Sequence, residues 1–476
     1  MKNHGDILLL SCYELGHQPL GVAWPMGFLE AAGYHPVAQD LAVERLDPDL
    51  VRRAALIGVC VPMHTALRLG VRAAARVREL NPRARIAFFG LYASLNAKTL
   101  LDSAADFVVG GEYERALVDL VSALAAGKAD HVPGVSTKSR IDAPVLTRIA
   151  FEAVGRSGLP PLDRYAKLAI NGEERVVGYT EASRGCKHIC RHCPIPPVYK
   201  GAFFPVPLDT VLDDVARLVR AGARHITFGD PDFLNGPSHA RRVAAALHQR
   251  FPELTFDFTA KVEHLLKHAS LLTEFAACGA VFVVSAVESF SDAVLKHLVK
   301  GHTRIDAINA IRIVRDAGLA LRPSLVPFTP WATLQDYVEL FDIVAAEDLV
   351  DAVDPVQLTI RLLVPPGSLL ESDPGMTPYL DGLDASAFTH RWRHPDPRMD
   401  RLHAEATRLV EQATAGGEDP AVTFSKLREL ALATRDSRKP LPVDVRPNPS
   451  RHRPPRLTEP WFCCAEPTDV QLRTAL

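Results

Sequence analysis

The feature that most constrains the fold is an alternation of short apolar runs with amphipathic stretches, which occurs twice along the chain. In the first occurrence Ile7–Ser11, residues 56–62, Arg85–Phe89 and Phe107–Val109 read as buried-type strands. Between them residues 23–32, ending at Gly33, and 66–80, ending near Asn81-Pro82, read as helices, and a further helix begins at Glu114. Alternation of this kind predicts a doubly wound parallel sheet over residues 1–125. Ligands of such sheets bind at the carboxyl ends of the strands. The expected rim is therefore residues 12–16, 62–65, 90–93 and 110–113.

Residues 126–174, with Leu159-Pro160-Pro161 in their middle, read as a linker. A second alternation follows over 175–384. Its expected strands are 176–180, His225–Phe228, 255–259, 281–286, 321–326 and 356–363, with helical patterns between them. Six strands with crossover helices predict a partial (β/α)6 barrel, with its chemistry at the carboxyl ends of the strands. Residues 385–435 read as a helical extension, with helical stretches at 402–413 and 424–432. Residues 436–476 read as a Pro/Arg-rich tether and a Cys-Cys tail, because 436–460 hold seven prolines and six Lys/Arg.

Bulk properties set limits. The chain has 476 residues, too many for one ordinary core. A formal net charge of −2 gives no global electrostatic case for nucleic acid. No apolar run approaches the roughly 20 residues that span a bilayer, and the short run at 7–10 lacks a signal-peptide cleavage site. A cytoplasmic location is expected. There the eight cysteines serve as ligands, reactive thiols or buried residues rather than disulfides.

Three of them are closely spaced, in Ser183-Arg184-Gly185-Cys186-Lys187-His188-Ile189-Cys190-Arg191-His192-Cys193-Pro194. A short loop of this type lets three thiolates converge on one iron–sulfur cluster and leaves one iron of a four-iron cluster open. Zinc would want a fourth protein ligand. His188 and His192 could supply one, but they read as solvated loop residues.

This spacing resembles that of the radical S-adenosylmethionine superfamily. The resemblance implies a 4Fe-4S cluster on Cys186, Cys190 and Cys193. It also implies S-adenosylmethionine bound through its amino and carboxylate groups, and an electron donor such as flavodoxin or ferredoxin. Gly229, Asp230 and Asp232, in Phe228-Gly229-Asp230-Pro231-Asp232-Phe233, resemble the family segment that accepts from the cofactor's ammonium. Glu288 and Ser289 look like its polar contact to the carboxylate or ribose, and Lys300-Gly301-His302-Thr303 follows as in many relatives. Phe328-Thr329-Pro330-Trp331 departs from the family's Gly-rich turn.

The first domain, ending in Gly110-Gly111-Glu112-Tyr113-Glu114, resembles the cobalamin-binding domain fused to many of these enzymes. It lacks the Asp-x-His-x-x-Gly stretch, so either cobalamin binds or the domain is a retained scaffold. The ending Cys463-Cys464-Ala465-Glu466-Pro467 resembles a subgroup similar to the arsinothricin-forming enzymes. For these the implied reaction moves the 3-amino-3-carboxypropyl group of S-adenosylmethionine to trivalent arsenic. Cys463 and Cys464 would hold arsenite as the substrate, with Cys12, Cys60 or Cys278 as a third thiol. Two rival readings stand beside this one. One is a cobalamin-dependent methylation or rearrangement of an organic natural product. The other is a non-catalytic arsenite- or metal-binding protein.

Overall fold

The computed structural model describes residues 1–128, 131–443, 451 and 453–459. Both alternating regions fold as α/β layers. The first contains β1 (Ile7–Ser11), β2 (Val37–Asp40), β3 (Leu56–Cys60), β4 (Arg85–Phe89), β5 (Phe107–Val109) and β6 (Val135–Ser136). These form one sheet in the order β2-β1-β3-β4-β5-β6, parallel throughout except for β5 with β6. Every residue of β1 and β3 is buried, as expected of strands covered on both faces. Leu8, Leu10, Ile57 and Val59 pack on one side. Ile7, Leu9 and Leu56 pack on the other, in a core that continues into the second region. The order reverses at β1, so the crevice for a ligand lies beyond the ends of β1 and β3. The weakly apolar β2 gives no strand signal in the sequence; pairing with β1 creates it.

The second sheet begins with the antiparallel pair β7 (Lys167–Ile170) and β8 (Glu173–Thr180). Next come the short pair β9 (Ser183–Gly185) and β10 (Phe203–Pro205), then β11 (His225–Phe228), β12 (Thr255–Ala260), β13 (Ala280–Glu288) and β14 (Ala320–Leu325). Strands β8, β11, β12, β13 and β14 run parallel in sequence order and make an open half-barrel. The helices Leu208–Arg220, Pro237–Arg250, Ala269–Ala277 and Arg304–Asp316 connect them.

The sixth strand expected at 356–363 does not form. Residues Pro355–Thr359 make a 3-10 turn, and only the bridge Phe328–Arg361 remains. The reason is a side chain acting as backbone: Gln357 Oε1 accepts from Leu325 N at 2.9 Å, where a strand carbonyl would otherwise pair. Beyond it, β15 (Leu380–Asp384) and β16 (Thr389–Trp392) form a hairpin that the sequence did not suggest. The helices Pro397–Ala415 and Pro420–Arg435 follow.

The expected solvated tether is only partly one. Arg451 pairs with Asp351 and Asp419, and Arg453 pairs with Asp419 at 2.9 Å. The strand β17 (Arg456–Leu457) then adds antiparallel to the free edge of β7. Unpaired edge groups of β7 and acidic partners on the barrel capture a segment whose composition alone reads as unstructured. Among the described residues no helix is long and apolar enough to cross a membrane.

Candidate active site

The cysteine loop leaves β9 at Gly185. Its φ is +72°, and a Cβ there would lie 2.3 Å from Ala202 O, so the turn needs glycine. Cys186 and Cys190 are buried and Cys193 is half-buried, all as free thiols. Burial pushes Cys193 up to about 12 and raises Cys186, and the neighbouring thiols of the trio add to both shifts. A site that must hold thiolates is therefore poor without a cation, and the donor set of three converging sulfurs fits an iron–sulfur cluster.

The loop is tied down on two sides. Lys187 N and Nζ donate to Asn235, the latter at 2.7 Å, beyond β11. On the other side Arg191 N donates to Leu298 O at 3.0 Å, and His192 Nε2 donates to Glu288 Oε1 at 3.2 Å. A register shift between Ala286 and Glu288, with Glu288 at φ +62°, re-aims that carboxylate into the barrel mouth. Lys300 Nζ donates to the same oxygen at 3.1 Å. Burial opposes ionisation of Glu288, but Lys300 and His192 outweigh it and hold the carboxyl down at about 2.

The remaining expected contacts divide. Asp232 is fully buried near the loop; Oδ1 accepts from Leu234 N, while Oδ2 stands 2.7 Å from His264 Nδ1 and 3.7 Å from His188 Nε2. Asp230 is engaged elsewhere: its oxygens accept from Ala182 N and Ser183 Oγ, which fixes the entry to the loop. Burial pushes Asp230 up to about 7. Gly229 N donates to Thr180 O, and Ser289 Oγ accepts from Ser291 N. His188 and His192 are not solvated, with side-chain exposures of 16% and 10%, because each packs against barrel residues. Cys12 and Cys60 are buried at the rim of the first sheet, where burial raises both thiols. Cys278 is half-buried at the end of Ala269–Ala277. Cys463 and Cys464 lie outside the described residues.

The sequence did not reveal how the two rims meet. Arg184, one residue before Gly185, reaches across to the first domain. It contacts Glu114 at 2.7 Å and Glu112 at 3.1 Å, and also Glu181 at 2.6 Å, while lying 5.1 Å from the ring centres of Trp24 and Phe151. Tyr199 Oη donates to Glu112 at 2.9 Å. The signal was present in two separate stretches, 110–114 and 183–185, but nothing in either one names the other. Beside this clamp lies a cavity of about 180 Å³, lined by Glu14, Trp24, Tyr113, Tyr179, Glu181 and Tyr199 among others. Elsewhere on the rim, His64 Nε2 donates to Ala387 O at 2.7 Å, and Phe388 of the β15–β16 connection packs into the first domain's core.

Residues 180–341 match the model of the Radical SAM superfamily. This segment is similar to radical SAM domains. Its span runs from the end of β8 through the cysteine trio to β14 and the helix after it. An uncharacterized methyltransferase of Pyrococcus horikoshii is 20% identical over 304 residues, 62% of this chain and 63% of that protein. A tRNA-2-methylthio-N(6)-dimethylallyladenosine synthase of Pseudoalteromonas atlantica is 22% identical over 200 residues, 40% of this chain and 42% of that one. The chain thus spans less than two thirds of either relative. Among solved structures, the cobalamin-dependent S-adenosylmethionine radical enzyme OxsB, with aqua-cobalamin bound, superposes with a TM-score of 0.68 at 16% identity. That likeness covers 86% of this chain and 67% of OxsB. The radical S-adenosylmethionine methyltransferase TsrM of Kitasatospora setae, with cobalamin and a [4Fe-4S] cluster, gives 0.57 at 18% identity over 73% of this chain and 71% of TsrM. These likenesses concern the fold, and they extend beyond the radical SAM domain to the sheet before it.

Proposed function

We propose that this chain is a radical S-adenosylmethionine enzyme that transfers a methyl or larger alkyl group from S-adenosylmethionine to a small molecule. The observation that carries the reading is the buried loop leaving β9, on which the Cys186, Cys190 and Cys193 thiols lie close enough to raise one another, beside a cavity walled on its far side by the rim of the first sheet. When bound there, a four-iron cluster supplies the single electron that starts radical chemistry. The protein's own part is positional. Asn235, Leu298 and Glu288 hold the loop, and Arg184 with its three carboxylates joins the rims. Trp24, Tyr113, Tyr179 and Tyr199 supply the apolar and aromatic part of the cavity wall.

The fold likeness to TsrM and OxsB favours the cobalamin-dependent form of this reading. The test is to reconstitute the full chain anaerobically, reduce it, add S-adenosylmethionine and identify products by mass. Cleavage of S-adenosylmethionine that disappears in Cys186→Ala supports the reading; a cluster-loaded protein that leaves S-adenosylmethionine intact refutes it. Cobalamin retained in equal stoichiometry through gel filtration supports the cobalamin-dependent form.

A second reading keeps the domain and changes the acceptor to trivalent arsenic, with the 3-amino-3-carboxypropyl group as cargo. It is favoured by where the described chain ends. Tyr13 Oη donates to Glu459 Oε1 at 3.1 Å, next to the cavity residue Glu14. Cys463 is four residues further on, within a reach of about 14 Å at roughly 3.5 Å per residue. Two adjacent thiols suit a thiophilic element. Formation of 5′-methylthioadenosine with an arsenic-bearing amino acid, lost in Cys463→Ser/Cys464→Ser, would replace the first reading with this one.

A further inference from the structure

Lys300 is among the largest fully buried side chains of the protein, and the group-transfer reading gives it no task. The helix Asp292–Leu298 stops at Val299, whose left-handed φ of +52° folds the chain back, and Lys300 N donates to Leu295 O at 3.1 Å. That turn drives the lysine inward, under the cysteine loop. Its ammonium and His192 Nε2 share one oxygen of Glu288, at 3.1 and 3.2 Å. His192 is the residue before Cys193. The loop's backbone is pinned to the same turn by Arg191 N to Leu298 O. Lysine is an expensive choice for a purely structural bond in a buried place, where a neutral donor would satisfy one carboxylate oxygen at lower desolvation cost.

We propose that Lys300 is the internal counter-charge of the cysteine loop, and that with Glu288 as its opposing partner it sets the reduction potential of the iron–sulfur cluster held there. The inference rests on the reading of Cys186, Cys190 and Cys193 as cluster ligands. Reduction adds one electron to a group already bearing thiolate charge. A fixed cation close by in a low-dielectric site favours that electron, and a fixed anion opposes it. The Lys300 ammonium is bonded to the Glu288 carboxylate, which in turn accepts from His192 of the cysteine loop. Glu288 offsets part of this field while fixing its position. Lys300 acts on the cluster through its field and through the bond to Glu288, so it is a positioning residue.

The test uses the full chain, anaerobically reconstituted, with iron and sulfide content measured and the cluster's midpoint followed by EPR during titration with dithionite through mediators. Lys300→Met should lower the midpoint and Glu288→Gln should raise it. Lys300→Met/Glu288→Gln should return it close to the parent, and Lys300→Arg should leave it near the parent. Opposite shifts that cancel in the double variant are not expected from a merely structural lysine. Loaded variants whose midpoints do not move, or move the same way, overturn this proposal alone. A parent that takes up no iron brings down the cysteine reading and this one with it.

Discussion

Replacing Arg184 with methionine tests whether the clamp joins the two rims. The side chain is 8% exposed and faces three carboxylates, of which Glu112 and Glu114 are 1% and 0% exposed. Removing one partner of a buried ion pair costs about 3–5 kcal/mol. With three carboxylates losing their only shared cation, the upper end, about 5 kcal/mol, is expected at pH 8. Unfolding entropy of about 2.1 cal/mol/K per residue, over 476 residues, gives about 1 kcal/mol/K, so Tm should fall by about 5 °C if the chain unfolds as one unit. The pH dependence carries the sign. Burial already raises Glu114 to about 7, against an ordinary 4.5, although Arg184 opposes the shift. A raised acid contributes stability that is complete below its unfolded value and is lost as pH rises through its folded value. Burial raises Glu181 in the same direction, and Arg184 opposes both shifts, so the variant should lose more at pH 8 than at pH 5.5, where protonation relieves the repulsion. Scanning calorimetry or intrinsic fluorescence at the two pH values measures this. A Tm within 1 °C of the parent at pH 8, or an equal loss at both pH values, would refute the clamp.

Two further outcomes follow from packing. A Cβ at Gly27, on the helix Leu20–Ala31, would lie 1.8 Å from Ala153 O. Gly27→Ala should therefore push the 153–155 segment off that helix and cost about 1–3 kcal/mol by overpacking, seen as a lower Tm and faster proteolysis near residue 153. Phe388 is 4% exposed in the first domain's core, so Phe388→Ala should cost about 3–5 kcal/mol and free the β15–β16 hairpin from the rim. Hydrogen exchange should then rise at 380–392 and at 61–65; protection unchanged at both would show that Phe388 does not hold the hairpin down.

How much of this was legible in the sequence varies by element. The strands β1, β3, β4 and β5 were legible because each is a short apolar run between turn signals, a local property that burial on both faces demands. The cysteine loop was legible because three ligands within eight residues need no help from distant chain. β2 and the β15–β16 hairpin were not, since their strand character comes from a partner and not from their own composition. The sixth barrel strand was misread because Val356 to Leu363 is apolar enough for a strand, and nothing local says that the Gln357 amide will take Leu325 N. The contacts of Arg451, Arg453 and Arg456–Leu457 were not legible for the same reason: proline and arginine spacing is visible, while Asp351, Asp419 and the open edge of β7 are far away in sequence.

The sequence by itself determined the two α/β layers and the thiol trio inside the segment that matches the Radical SAM model. All of these follow from periodicity or spacing over a few residues. Only the tertiary structure decided what surrounds the trio. Arg184 meets Glu112 and Glu114 across some seventy residues of chain, and Lys300 meets Glu288 under a loop a hundred residues earlier. Charges pair by distance in space, and burial decides what each pairing is worth. Neither quantity exists until the chain has folded.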